Sequence, residues 1–131
     1  MQNEQFEKVH ATVMLRHPTR SAAKATKALG RRPSWSYPAD QAHGAPTAWG
    51  IESFLEAGGD AVEDHLSWAI GILTRFEGEL TLLKSDGWNI TVTLTVPRAT
   101  LEKDSDRTVA VGPSRLAVLA RLGASLALFV P

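Results

Sequence analysis

Strict alternation of aliphatic and polar side chains marks one stretch of the chain, Asn89-Ile90-Thr91-Val92-Thr93-Leu94-Thr95-Val96. Successive side chains of a strand point to opposite faces of a sheet, so this stretch predicts a strand with one aliphatic face and one threonine face. A sheet that is covered on both sides needs apolar residues on both faces. The stretch therefore predicts a sheet with helices on one side and an open, threonine-rich face on the other.

Three more segments predict strands of the same sheet. Residues 8–16 alternate in the same way, and a strand ending near Phe54 places Trp49, Ile51 and Ser53 on one face. Residues 125–130 predict a final strand that is apolar enough to lie in the centre of the sheet rather than at its edge. A short strand or hairpin arm is also possible around Trp35.

Three segments predict helices, and they alternate with the strands along the chain. The first is Ala22 to Leu29, stopped by Gly30, and the last is Arg115 to Leu122, stopped by Gly123. The middle helix follows Gly58-Gly59, with Asp60 and Glu63 spaced as a capping box. Its apolar stripe consists of Leu66, Ala69, Ile70, Leu73 and Phe76, and Gly78 is expected to end or kink it.

This order of elements predicts an α+β fold: a two-layer sandwich in which three helices cover one face of an about four-stranded, mainly antiparallel or mixed sheet. The 131 residues are the usual size of one domain, so we expect residues 1–131 to form a single α+β domain. Residues 103–107 predict a charged loop before the last helix.

Composition narrows the classes of function. Fourteen basic side chains balance 14 acidic ones, which does not favour binding along a phosphate backbone, and a net charge of zero leaves a homodimer open. The chain has no cysteine, so disulfides and thiolate metal sites are excluded. No apolar run reaches the about 20 residues that cross a bilayer, and the start of the sequence has no signal core. We expect a bacterial-type cytoplasmic protein that does not enter the membrane.

Catalytic and metal-binding patterns are missing from the sequence. The histidines His10, His17, His43 and His65 fall in different segments, and no two have the spacing of a helical zinc site. No nucleophile elbow and no glycine-rich phosphate loop is present. We therefore expect no catalytic residues, no metal and no cofactor, and a chain that is not an enzyme.

One long connection, residues 31–48, concentrates residue types that bind other molecules. With the strand that follows, it contributes the five candidate binding residues Arg31, Arg32, Trp35, Tyr37 and Trp49. Tryptophan, tyrosine and arginine dominate protein interface hot spots, and arginine beside tryptophan can also hold an anion. The alternative is structural: Trp49 is expected in the core, and Trp35 is either a lid over the sheet edge or part of the binding surface.

Four short motifs resemble a bacterial family known as domain of unknown function 4279. They are Leu29-Gly30-Arg31-Arg32-Pro33-Ser34, Trp49 with Glu52-Ser53, Asp64-His65-Leu66, and Leu119-Ala120-Arg121-Leu122-Gly123. Two stretches depart from the family pattern. Tyr37-Pro38-Ala39-Asp40 stands where members usually carry a Lys-Gly or Arg-Gly pair, and Leu128-Phe129-Val130-Pro131 replaces a polar-aromatic ending. The resemblance implies a fold but no activity.

Two hypotheses of function follow. The first is a non-enzymatic protein-interaction module, of an immunity or regulatory type, with an unknown protein partner. The alternative is a domain that binds a small molecule or an anion through Arg31, Arg32 and Trp35. A third, an enzyme of unrecognised type, would require a histidine and a carboxylate from distant segments to meet in a cleft.

Overall fold

The computed structural model describes residues 8–103 and 109–131. The strands are β1 His10–His17, β2 Trp35–Tyr37, β3 Thr47–Glu52, β4 Asn89–Thr95 and β5 Ser125–Phe129. The helices are α1 Ala22–Leu29, α2 Val62–Arg75, α3 Glu77–Ser85, α4 Arg98–Lys103 and α5 Pro113–Leu122, with a 3-10 turn at Gln41–His43. Most of the charged loop predicted over residues 103–107 lies outside the described residues. In the part that is described, no helix combines the length and the apolar character needed to cross a membrane.

All five strands belong to one mixed sheet in the order β2-β3-β1-β4-β5. The first strand of the chain lies in the middle, antiparallel to β3 on one side and to β4 on the other. The short β2 extends the sheet antiparallel to β3. β5 is parallel to β4, because the connection between them crosses the helical layer through α4 and α5.

The predicted α+β class is confirmed, and the numbers of elements are corrected. The sheet has five strands rather than about four, because the chain around Trp35 forms β2. The described residues contain five helices rather than three. The predicted middle helix breaks at Phe76 into α2 and α3, whereas Gly78 lies inside α3. α4 lies in a stretch for which no helix was predicted.

The expected central position of the last strand is wrong. β5 lies at the edge of the sheet, and Leu128 is 53% exposed. Apolar composition does not distinguish a central strand from an edge strand. The place of β5 in the sheet depends on where the connection through α4 and α5 returns the chain to the sheet. The same limitation applies to Leu116, which favours burial by its chemistry and is 51% exposed on α5.

The hydrophobic core lies between the helices and one face of the sheet. The strands contribute Ala11, Val13, Leu15, Trp49, Ile51, Ile90, Val92 and Leu94, each at an alternate position. The helices contribute Ala25 and Leu29 of α1, Ala69, Ile72 and Leu73 of α2, Leu80 and Leu83 of α3, and Val118, Leu119 and Leu122 of α5. The alternating direction of side chains along each strand therefore sends one set to the helices and the other set to the opposite face.

Helix ends decide how the chain leaves this layer. Ser21 caps α1 by accepting a hydrogen bond from the backbone N–H of Ala23, and Gly30 ends the helix with φ at 61°. A left-handed residue of this kind favours glycine and turns the chain towards β2. The capping box predicted at Asp60 is wrong: α2 begins at Val62, and its N-cap is Ala61 without a side-chain hydrogen bond.

Two leucines on neighbouring helices test the orientation of the helical layer. We expect Leu73→Ala, at a position with 0% exposure, to lower the free energy of unfolding by about 2–5 kcal/mol, because it leaves a cavity in the core. The matched variant Leu82→Ala on α3 removes a side chain that is 72% exposed and should change stability by less than about 0.5 kcal/mol. Urea denaturation of both variants measures the difference, and equal losses would contradict the packing.

Candidate functional site

The side of the sheet that faces away from the helices carries a second set of strand residues, which is exposed in part and buried at His10, Thr12 and Thr95. We call it the open face. From one edge to the other it comprises Trp35 and Tyr37 of β2, Ala48, Gly50 and Glu52 of β3, His10, Thr12, Met14 and Arg16 of β1, Asn89, Thr91, Thr93 and Thr95 of β4, and Ser125, Ala127 and Phe129 of β5. The core side chains of the described helices all pack on the other side.

The glutamate that ends β3 holds the aromatic part of the open face in place. Glu52 accepts a hydrogen bond from the Trp35 indole Nε1 at 2.7 Å and another from the Thr12 hydroxyl at 2.6 Å. Its backbone N–H donates to Ser34 Oγ at 2.9 Å. A carboxylate with two donors at this distance forms charge-assisted hydrogen bonds. The Trp35 ring is therefore fixed by β1 and β3 rather than free on its edge strand.

A glycine beneath this tryptophan lets the ring lie flat on the sheet. Gly50 is the cross-strand partner of Trp35, and a Cβ at Gly50 would overlap the six-membered part of the indole. Tyr37 lies beside Trp35 with ring centroids 5.6 Å apart and is 63% exposed. The two aromatic rings form a rigid, partly exposed patch at the β2 edge of the open face.

A histidine from β1 reaches the same carboxylate. His10 Nε2 lies 3.7 Å from Glu52 Oε2, and Nδ1 bonds the carbonyl of Lys8 at 3.1 Å. The imidazole is 5% exposed and stacks on Phe54 with centroids 4.2 Å apart. A histidine and a carboxylate from distant segments thus meet, as an enzyme would require. His10 is packed against Phe54, and the Glu52 carboxylate already accepts hydrogen bonds from Thr12 and Trp35, so the two side chains brace β1 against β3 and β2.

The five predicted binding residues do not form one cluster. Trp49 is completely buried on the helix side, where its Nε1 donates to Thr26 Oγ1 at 3.0 Å. Trp35 and Tyr37 lie on the opposite face. Arg31 extends to Glu56 in the turn after β3, and Arg32 is exposed. Trp35 and Tyr37 were among the predicted binding residues, whereas Glu52, Thr12 and His10 were not.

Arg31 is bound by a carboxylate rather than being available to an anion. Its guanidinium forms a bidentate pair with Glu56, with Nη1 3.0 Å from Oε1. The hydrogen bonds from Arg31 lower the pKa of Glu56 below its ordinary value, and their effect outweighs the opposing effect of desolvation. A similar bidentate pair joins Arg115 of α5 to Glu63 of α2 and lowers the pKa of that carboxyl as well.

A buried serine and histidine meet on the helix side of β3. Ser53 Oγ lies 2.6 Å from His65 Nδ1 and accepts a hydrogen bond from the backbone N–H of Ala11 at 2.8 Å. His65 Nε2 donates to the carbonyl of Gly59 at 3.1 Å, so Nδ1 is the acceptor for the serine hydroxyl. Both side chains are buried, Ser53 completely, and no substrate reaches the hydroxyl in this conformation. The pair ties β1, β3 and the start of α2 together.

Two other observations complete the chemistry of the described residues. Within residues 8–103 and 109–131, no group of three histidine, aspartate or glutamate side chains is arranged to hold a metal ion. His17 bonds the carbonyl of Asp86 through Nε2 and accepts from the backbone N–H groups of Thr19 and Arg20 through Nδ1. Both of its ring nitrogens are used to fix the turn after β1.

Comparison with known proteins adds no relative. No family model matches the chain, and no curated protein or solved structure matches it either.

The serine–histidine pair should contribute to stability. We expect Ser53→Ala to lower the free energy of unfolding by about 1–3 kcal/mol, because it leaves the Ala11 N–H and His65 Nδ1 without a partner in the core. Ser36→Ala, at an exposed position of β2, is the matched control and should have little effect. Thermal and urea unfolding compare the two variants. A neutral Ser53→Ala would show that the network does not hold β3 to α2.

The Arg31–Glu56 pair should make stability depend on acid. Because the folded pKa of Glu56 is lowered, the stabilisation is present at neutral pH and is lost as the pH falls through that lowered pKa. Glu56→Gln should cost at most about 1 kcal/mol at pH 7, since the pair is partly exposed, and its difference from the wild type should shrink in acid. Urea unfolding at pH 7 and at successively lower pH measures this difference, with Glu79→Gln on α3 as the control. A difference that grew in acid would contradict the assignment.

Proposed function

We propose that this chain is a non-enzymatic protein-interaction module, of a regulatory or immunity type, that binds a protein partner through its open face. One observation carries the proposal: a tryptophan fixed by Glu52 and a largely exposed tyrosine form an aromatic patch at the β2 edge of the open face. Fixed aromatic side chains supply contact area at a small cost in conformational entropy, and they are the commonest hot-spot residues of protein interfaces.

The shape of the surface supports a protein partner over a small molecule. Small-molecule sites are concave and enclose most of the ligand, whereas the open face is one side of a sheet. Clefts do occur elsewhere on the molecule. One of about 630 Å³ lies between α1 and α3, where Lys24, Lys27 and Leu82 are among its lining residues. It is on the helical side and includes none of the five predicted binding residues.

The charges on the open face support a neutral partner surface. Arg16 and Glu52 carry the fixed charges that its strands present. The rest of the face consists of threonine, serine, asparagine, methionine, alanine, glycine, histidine and aromatic residues. Such a face offers no line of cations to a phosphate backbone. The anion-binding alternative also loses support, because Arg31 is paired with Glu56 and Trp35 lies against a carboxylate.

The resemblance to the domain of unknown function 4279 family belongs with this proposal as a prediction. Three of its four motifs are in contact: Ser53 of the tryptophan motif bonds His65 of the next one, and Ser34 of the first accepts a hydrogen bond from the backbone N–H of Glu52. These contacts give the motifs a structural role and imply no activity. We likewise propose that the chain acts in a bacterial cytoplasm.

Photo-crosslinking in the native host tests which face binds. A photoreactive residue in place of Tyr37 or Thr91, on the open face, should give one discrete heterologous adduct. The same residue at Leu82, exposed on the helical side, should not give it. Adducts of equal yield from both faces, or none from the open face, would overturn the proposal.

Two glycine variants distinguish an effect on the aromatic patch from an effect on the fold. Gly50→Ala should displace the Trp35 ring and reduce the yield of that adduct at least about tenfold, the equivalent of about 1.4 kcal/mol. Gly71→Ala, where a Cβ on α2 meets open space, should leave the adduct unchanged and stabilise the helix slightly. Circular dichroism confirms that both variants are folded. An undiminished adduct with Gly50→Ala would remove Trp35 from the interface.

A further inference from the structure

The two edges of the sheet differ in how they are protected against pairing with another strand. At the β2 edge the strand has three residues, Pro38 follows it directly, and an isolated bridge between Asp40 and Ala45 closes the chain next to it. Short strands and prolines are the devices by which proteins blunt an edge. β5 has five residues, and no charged residue occurs from position 122 to 131. Within residues 125–129, strand β5 itself therefore carries no proline and no charged side chain that would protect its edge.

Backbone groups on β5 point outward in a regular pattern. The carbonyl of Phe129 accepts from the N–H of Val96, so it points inward, towards the chain of β4. Because backbone direction alternates along a strand, the N–H and C=O groups of Leu126 and Leu128 point to the other side. Among the described residues, β4 is the one strand that pairs with β5.

We propose that β5 pairs antiparallel with β5 of a second copy of the chain, forming a continuous ten-stranded sheet. A two-fold axis at Ala127 sets Leu126 across from Leu128 of the second copy. These are the residues whose backbone groups point outward, so each pair exchanges both hydrogen bonds. Ala127 then faces Ala127 of the second copy as a non-hydrogen-bonded pair. The outward N–H and C=O groups of β5 in one copy thus meet the C=O and N–H groups of β5 in the second copy.

Side chains and charge also match in this arrangement. Leu128, 53% exposed in one copy, lies beside Leu126 of the other on the helical face. Apolar cross-strand pairs of this kind stabilise sheets, and no like charges are brought together along the strand. A net charge of zero on the whole chain adds no long-range repulsion between copies. A two-fold contact of one surface with itself also closes at a dimer.

The dimer has a consequence for the proposed function, and this step alone rests on that proposal. Strands that pair within one sheet keep their faces on the same side, so both open faces look in one direction. The two β2 strands then lie nine strand spacings apart, roughly 43 Å along the sheet. A partner with two binding sites, or two joined partners, would engage both aromatic patches with the gain of a bivalent contact.

Sedimentation velocity of the full chain tests the pairing without a partner. The wild type should show a concentration-dependent dimer. Leu128→Lys places an ammonium group opposite Leu126 of the second copy and should raise the dimer dissociation constant by roughly tenfold or more. Leu82→Lys, which adds the same charge at another exposed leucine, should leave it unchanged. A wild type that stays monomeric, or a dimer that Leu128→Lys does not weaken, would overturn the inference.

Cysteine crosslinking tests the register, and it decides the matter if Leu128→Lys does not fold. The natural chain has no cysteine, so each variant carries a single thiol. Facing Cα atoms of a non-hydrogen-bonded pair lie about 4.5 Å apart, which a disulfide can span. Ala127→Cys should form an interchain disulfide readily on oxidation, whereas Ser125→Cys faces Phe129 of the second copy and should react slowly. Equal rates for the two variants would contradict the register.

Discussion

The central position of β1 is the constraint on which the rest of the structure depends. Hydrogen bonds to β3 on one side and β4 on the other fix its register against both strands at once. A shift of one residue would turn Val13 and Leu15 away from the helices and bring Met14 and Arg16 into the core. The helices have an apolar layer to cover because this register is fixed. The open face exists because the same register sends the alternate side chains away from them.

This constraint explains why two tryptophans on neighbouring strands do different work. Trp49 and Trp35 are close in sequence and lie on adjacent strands, yet the register places Trp35 opposite Gly50, one residue after Trp49. That offset sends Trp49 into the core, where Thr26 satisfies its indole, and leaves Trp35 on the open face, where Glu52 satisfies it. The single step in register separates a core residue from a surface residue of the same type.

Features governed by local periodicity could be predicted from the sequence. β4, α1 with its glycine stop, and the α+β class follow from alternation, helix propensity and turn residues. The break at Phe76, the N-cap at Ala61 and the edge position of β5 depend on how the chain packs, and no local pattern encodes them. The same distinction applies to the candidate site. Trp35 and Tyr37 could be named as candidates from their residue types alone. Glu52 bonds Thr12, which is 40 positions away, and Trp35, which is 17 positions away, so the role of Glu52 depends on the order of the strands.

The error about β5 itself carries information. The composition of β5 is that of a central strand, whose apolar side chains are buried. At the edge of the sheet, part of these side chains is exposed to water. Isolated exposed leucines are common and need no explanation. Leu128, however, lies on an edge strand without charged residues, whereas β2 at the other edge of the sheet is short and is followed by a proline. Pairing of β5 with its own copy would place the strand in the middle of a larger sheet. In that assembly the composition and the position would agree, and the mismatch within one copy is what an unassembled interface strand looks like.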